Sequence, residues 1–139
     1  MAGYSGTPLL KKLGVKEGFR IALADPPQSF LKELEDLPQG ATVVSRTSPP
    51  VDLIVLFATS ERKLKQKFQS YAQKLKANGM IWVAWPKKSS GVASDLVFEK
   101  VQKTGLQAGL VDVKICAIDE TWSGLKFVYR LQDRSRISK

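Results

Sequence analysis

The sequence predicts a three-layer α/β domain, with a mostly parallel, Rossmann-like sheet of about six strands and helices on both faces. Three observations predict it. Apolar runs of strand length alternate with amphipathic helical segments along most of the chain. The run Val51-Asp52-Leu53-Ile54-Val55-Leu56-Phe57 is almost continuously apolar, as a central strand covered on both faces must be. The last two apolar runs have only a turn between them and read as an antiparallel hairpin. The 139 residues suit one domain over 1–131, followed by a polar, mobile tail over 132–139.

Each element has a local reason. Thr7-Pro8 opens a short helix over Leu9–Leu13, with Thr7 as cap, Pro8 in the first helical position and Gly14 as stop. Phe19–Ala24 is the first strand, ended by Asp25-Pro26-Pro27. Gln28 or Ser29 starts a helix to about Leu34, with Phe30, Leu31 and Leu34 at helical spacing. After the Leu37–Gly40 turn, Thr42–Ser45 is a short second strand, and a Pro49-Pro50 loop leads to the third, Val51–Phe57. Ser60 caps a long helix from Glu61 to about Lys76, whose stripe is Leu64, Phe68, Tyr71, Ala72 and Leu75. Asn78-Gly79 closes it through a left-handed residue, and Met80–Trp85 is the fourth strand. A helix capped by Ser90 or Ser94 runs to Thr104-Gly105 and turns Leu96, Val97 and Val101 inward. Leu110–Ile118 and Leu125–Leu131 are the last strands, joined by the turn Asp119–Gly124.

Right-handed crossovers force the first four strands to be largely parallel. The strand order is then 2-1-3-4-6-5, with the sixth strand antiparallel between the fourth and fifth. A closing hairpin of this kind is the arrangement of class I methyltransferase-like domains. Here it is trimmed, since no helix separates the second and third strands and one strand–helix unit is missing.

Composition narrows the chemistry. Absence of histidine removes Ser-His-Asp triads, Cys-His dyads and histidine metal sites together. A single cysteine, Cys116, leaves no disulfide framework or Cys-rich zinc site and reads as a small core residue. The N-terminal segment has no apolar core before Lys11-Lys12, and no apolar run approaches the roughly 20 residues that span a bilayer. A cytoplasmic location is expected. The formal charge is +9 and uneven: residues 61–76 and 126–139 carry most of the excess. Such runs are either solvated faces or attract nucleic acid and acidic partners.

Ligands of doubly wound sheets bind beyond the carboxyl ends of the strands. A nucleotide or adenosylmethionine site there needs glycines after the first strand and an acidic residue after the second. This chain has Asp25-Pro26-Pro27 and Ser45-Arg46 instead. The Asp-Pro-Pro-aromatic motif of amino-methyltransferases is not matched either, because Gln28 follows and the turn comes after the wrong strand. Asp25 is expected to cap the helix that follows. Trp85-Pro86-Lys87-Lys88-Ser89-Ser90-Gly91 places lysines, hydroxyls and a glycine between a strand and a helix start. That is the chemistry of an anion site, or of a solvated turn. Asp119 and Glu120 are adjacent and diverge on an extended chain, so a structural turn is expected; Trp122 is placed over the sheet end beside Trp85.

The chain resembles the bacterial domain of unknown function 3052 family. The resemblance is carried by Gly3-Tyr4-Ser5-Gly6-Thr7-Pro8-Leu9, Lys12-Leu13-Gly14, Trp82-Val83-Ala84-Trp85-Pro86-Lys87-Lys88, Ala108-Gly109-Leu110-Val111-Asp112 and Asp119-Glu120-Thr121-Trp122-Ser123-Gly124-Leu125-Lys126-Phe127. It implies a grouping and assigns no activity. The residues themselves predict a non-catalytic domain that binds a small anion or a protein partner at the carboxyl edge of the sheet. Lys87, Lys88, Ser89, Ser90, Gly91, Trp122 and Ser123 form the expected site, with no cofactor and no metal. The alternatives are a divergent adenosylmethionine-dependent transferase and sequence-independent nucleic-acid binding.

Overall fold

The computed structural model describes residues 8–44 and 50–137. Its six strands form one sheet in the order β2-β1-β3-β4-β6-β5, as expected from the sequence. Here β1 is Arg20–Ala24, β2 Thr42–Val43, β3 Val51–Phe57, β4 Leu75–Pro86, β5 Leu110–Ala117 and β6 Trp122–Tyr129. The first four are parallel, and β6 lies antiparallel between β4 and β5. Helices α1 (Leu9–Lys12) and α2 (Gln28–Leu31) belong to one face, α3 (Glu61–Ala72) and α4 (Phe98–Gln107) to the other.

Alternation along the central strands fills both layers. Ile54, Leu56, Val83 and Phe127 meet Leu64, Phe68 and Val101 on the α3/α4 side. Leu53, Val55, Phe57 and Trp82 meet Leu13 and Phe30 on the other. Each such buried side chain contributes about 1.5–3 kcal/mol of transfer free energy. The Trp82 indole stays satisfied by donating to Leu13 O at 2.8 Å. Asp52, which interrupts the apolar run of β3, accepts from Arg20 N at 2.8 Å and pairs with Lys76 at 3.0 Å. One carboxylate thus ties together the amino ends of β1, β3 and β4.

Several boundaries differ from the sequence expectation. Pro8 is the N-cap of α1 rather than its first helical residue. Gly14, at φ +93°, then closes a Schellman turn: Gly14 N donates to Lys11 O and Val15 N to Leu10 O. Helix α2 lasts one turn and continues as a 3₁₀ segment, Lys32–Asp36. Asp25 does not cap it; Pro27 is the N-cap, without a side-chain acceptor.

Helix α3 ends at Ala72 rather than Lys76, and Leu75 belongs to β4 opposite Val51. Two tertiary bonds explain the early stop. The Tyr129 phenol donates to Ala72 O at 2.7 Å, and Val51 N to Lys74 O at 2.8 Å. Gly79 has no positive φ and does not end a helix. It lies in β4, where a Cβ would stand 2.6 Å from Leu75 Cδ1 and 2.9 Å from Asp52 O.

Helix α4 starts at Phe98, with Val97 as N-cap, so neither Ser90 nor Ser94 caps it. Strand β6 begins at Trp122, three residues earlier than expected, because Ile118 N already donates to Trp122 O across a tight turn. Leu131–Arg136 forms 3₁₀ turns rather than a free tail. Thr7 and Ser45-Arg46 lie outside the described residues. No helix among the described residues is long and apolar enough to cross a membrane.

Candidate site at the carboxyl edge of the sheet

The strand order reverses between β1 and β3, since one crossover leads outward to β2 and the other to β4. A crevice must open there, because the two connections leave in opposite directions. It is a cleft of about 200 Å³ lined by Asp25, Phe57, Ala58, Thr59, Lys63, Lys67 and Trp122. Trp122 and Phe57 form its aromatic wall, edge to face at 5.1 Å, and Phe30 meets Phe57 edge-on from behind at the same distance.

Two elements supply the charge. Asp25 occupies the left-handed region at φ +53°, where a glycine would be free of strain. Its carboxylate pairs with Lys67 on α3 and so bridges the turn after β1 to the helix after β3. Lys63, one turn earlier on α3, makes no ion pair among the described residues. The first turn of α3 is already served: Ser60 Oγ accepts from Lys63 N at 3.2 Å and Asp95 Oδ1 from Glu61 N at 2.8 Å.

The expected site residues divide. Lys87 N donates to Thr121 O at 2.8 Å, so the lysine–serine loop and the hairpin turn are neighbours. Within that loop, Lys88–Ser90 is a 3₁₀ turn ended by Gly91 at φ +78°. Ser90 Oγ donates to Lys87 O at 2.6 Å and accepts from Val92 N at 3.2 Å. Lys88 and Ser89 are exposed. The helix start that would have aimed backbone amides at an anion is absent from this loop, since α4 begins only at Phe98.

Trp122 lines the cleft, whereas Lys87–Gly91 lies outside it. Trp122 does not sit beside Trp85. It faces Pro86 in the ladder and packs with the α1/α2 layer, while Trp85 packs with the other layer. Ser123, opposite Trp85, follows Trp85 to that second face. Asp119 is a turn residue, its Oδ1 accepting from Thr121 N and Trp122 N at 2.8 Å each. Burial pushes the Cys116 thiol above its ordinary pKa despite Lys12 and Lys114 nearby, which suits a packing role.

Lys63 and Lys67 were hidden in a basic helix run. The available signal was their i, i+4 spacing directly after a strand end and a serine cap.

Strand order and crevice position define a methyltransferase-like α/β domain. Solved structures of this fold include an adenosylmethionine-dependent methyltransferase from Aquifex aeolicus, with TM-score 0.65 and 14% identity over 86% of each chain. The ribosomal protein L11 methylase of Lactobacillus delbrueckii subsp. bulgaricus gives 0.61 at 10% identity, over 88% of this chain and 75% of that one. Magnesium protoporphyrin IX methyltransferase from Synechocystis PCC 6803, solved with bound adenosylmethionine, gives 0.57 at 7%, over 88% and 74%. A sequence search of curated proteins finds no match. The model of DUF3052, a protein family of unknown function, matches residues 24–131, and the chain belongs to that family.

Proposed function

We propose that this chain is a non-catalytic, cytoplasmic binding domain that holds a small anionic ligand at the carboxyl edge of its sheet. The observation that carries this reading is the cleft itself, with Lys63 and Lys67 facing a Trp122–Phe57 wall against a single carboxylate, Asp25. Its volume, about 200 Å³, falls below the roughly 300–1,000 Å³ of drug- and cofactor-sized sites. The Asp25–Lys67 pair also stands where a cofactor of this fold class approaches the backbone after β1. Both features favour a ligand smaller than a dinucleotide. Lys87 and Lys88, one loop away, extend the positive potential toward the mouth.

Calorimetric titration with inorganic phosphate and with adenosine monophosphate tests the reading. Lys63→Ala and the double variant Lys87→Ala/Lys88→Ala should each weaken binding. Unchanged affinity in both would remove the site.

The fold likeness carries a second reading, a divergent adenosylmethionine-dependent transferase. Saturating adenosylmethionine, at about 100 times its Kd, would then stabilise the protein by about 2.7 kcal/mol. No thermal shift with millimolar adenosylmethionine or adenosylhomocysteine would end that reading and leave the first standing.

A further inference from the structure

The end of the first basic run and the second run, far apart in sequence, come together at the other end of the sheet. Strand β6 runs antiparallel to β4, so its carboxyl end lies at the amino ends of the parallel strands. Arg130 follows β6 directly, and the 3₁₀ segment Leu131–Arg136 packs against β4. Lys74 immediately precedes β4 and Lys76 is its second residue, while Arg20 opens β1. The Tyr129–Ala72 bond fastens the end of α3 to the end of β6 and holds the two runs together.

Two carboxylates of this rim are engaged, while Glu17, just before β1, is exposed and makes no ion pair among the described residues. Asp52 pairs with Lys76 and Asp133 with Arg136. Lys74, Arg130 and Arg134 make no ion pair among the described residues. Arg134 is nevertheless positioned, since its Nε donates to Tyr129 O at 3.2 Å. That fixes one guanidinium edge and leaves the terminal nitrogens to an outside acceptor.

We infer that this amino-end rim, with Lys74, Arg130 and Arg134 at its centre, docks the phosphodiester backbone of nucleic acid without reading its sequence. Arginines present forked donors that match phosphate oxygens. The one large apolar side chain exposed among the residues named for this rim and its 3₁₀ segment is Leu131, 79% accessible. A protein partner would ordinarily meet an apolar centre rather than a lone leucine. Among the described residues no exposed aromatic stands on the same rim to stack a base, which is consistent with backbone recognition alone. The rim is separate from the cleft, which lies at the carboxyl ends of the same strands.

The test is fluorescence anisotropy of a labelled 20-base-pair duplex with the full chain over 50–200 mM salt. Binding should weaken steeply with salt. Lys74→Gln/Arg130→Gln/Arg134→Gln should flatten the slope of log K against log salt by about 2.7, at about 0.9 per lost phosphate contact. A control with the same change in net charge, Lys32→Gln/Arg62→Gln/Lys103→Gln, should leave the slope nearly unchanged. The pair Lys74→Gln/Arg130→Gln keeps the Arg134–Tyr129 bond and should flatten the slope by about 1.8, so loss of folding cannot imitate the result. Equal flattening by rim and control variants, no binding at 50 mM salt, or displacement by poly-glutamate as effective as by unlabelled duplex would each overturn the inference.

Discussion

Gly105 lies inside α4 with its backbone against the ring of Phe127 on β6. A Cβ placed there would stand 2.6 Å from Phe127 Cζ and closer still to Cε2 and Cδ2. To reach even a tight 3.4 Å contact, Phe127 Cζ must retreat from that Cβ by at least 0.8 Å, from 2.6 to 3.4 Å, and Cε2 and Cδ2 by more. It has nowhere to go. Phe127 is fully buried and packs edge to face on Phe68 at 5.4 Å. Overpacking of this kind costs about 1–3 kcal/mol, and a blocked ring places Gly105→Ala near the upper end. Helix propensity returns about 1 kcal/mol, because alanine replaces an interior glycine. The expected net destabilisation is about 2 kcal/mol, which lowers Tm by about 6–8 °C for a domain of this size. Urea unfolding followed by tryptophan fluorescence measures it. Phe127→Leu should partly rescue Gly105→Ala, with a coupling of about 1 kcal/mol or more. A Gly105→Ala protein as stable as the parent, or more stable, would refute the packing of α4 on β6.

Three further outcomes are expected. Trp122→Ala removes the edge-to-face contact with Phe57 and should cost about 2 kcal/mol in urea unfolding, less than a fully buried tryptophan because the residue is half-buried. Asp25→Asn should leave stability within about 1 kcal/mol, since the Lys67 pair is exposed and asparagine tolerates positive φ. The same change should tighten phosphate binding in calorimetry by freeing Lys67; a weaker or unchanged affinity would contradict the proposed cleft. Burial raises the Tyr129 phenol pKa above its ordinary value. The folded state therefore holds that proton longer than the unfolded state. This contribution to stability is full below about pH 10 and is lost as pH rises through the folded pKa. Tyr129→Phe should cost about 1 kcal/mol at neutral pH through the lost bond to Ala72 O and should flatten the alkaline decline.

The fold was legible because its signals are local and periodic. The almost continuously apolar run Val51–Phe57 demanded cover on both faces, and the helix-free join between the last strands demanded an antiparallel partner. Handedness then left one strand order. The boundaries that moved were those where tertiary bonds outweighed local signals. Asn78-Gly79 is a fair helix stop by propensity, yet pairing of Leu75 with Val51 and capture of Ala72 O by Tyr129 end α3 earlier. Ser90 and Ser94 are good caps by type, yet Ser90 closes its own turn on Lys87 O and Ser94 Oγ accepts from Leu96 N.

The candidate site was half legible. Trp122 and the neighbouring lysine loop could be singled out by composition, and the structure joins the loop to the hairpin through Lys87 and Thr121. That Trp122 turns away from Trp85 follows from strand register, where a shift of one residue exchanges faces. Asp25 read as a cap, because the sequence gives no sign that Lys67, 42 residues later, stands across the crevice.

By itself, then, the sequence determined the layers, the strand order and the chemistry left open by a chain with no histidine and one cysteine. Those properties depend on periodicity, crossover handedness and composition, which are carried within short windows of chain. Tertiary structure alone decided which charges meet. It placed Lys63 and Lys67 at the carboxyl-end cleft, and it brought the end of α3, before Lys74, against the end of β6, before Arg130, at the opposite rim. Electrostatic sites depend on distances through space, and only the folded sheet sets those distances between residues so far apart in the chain.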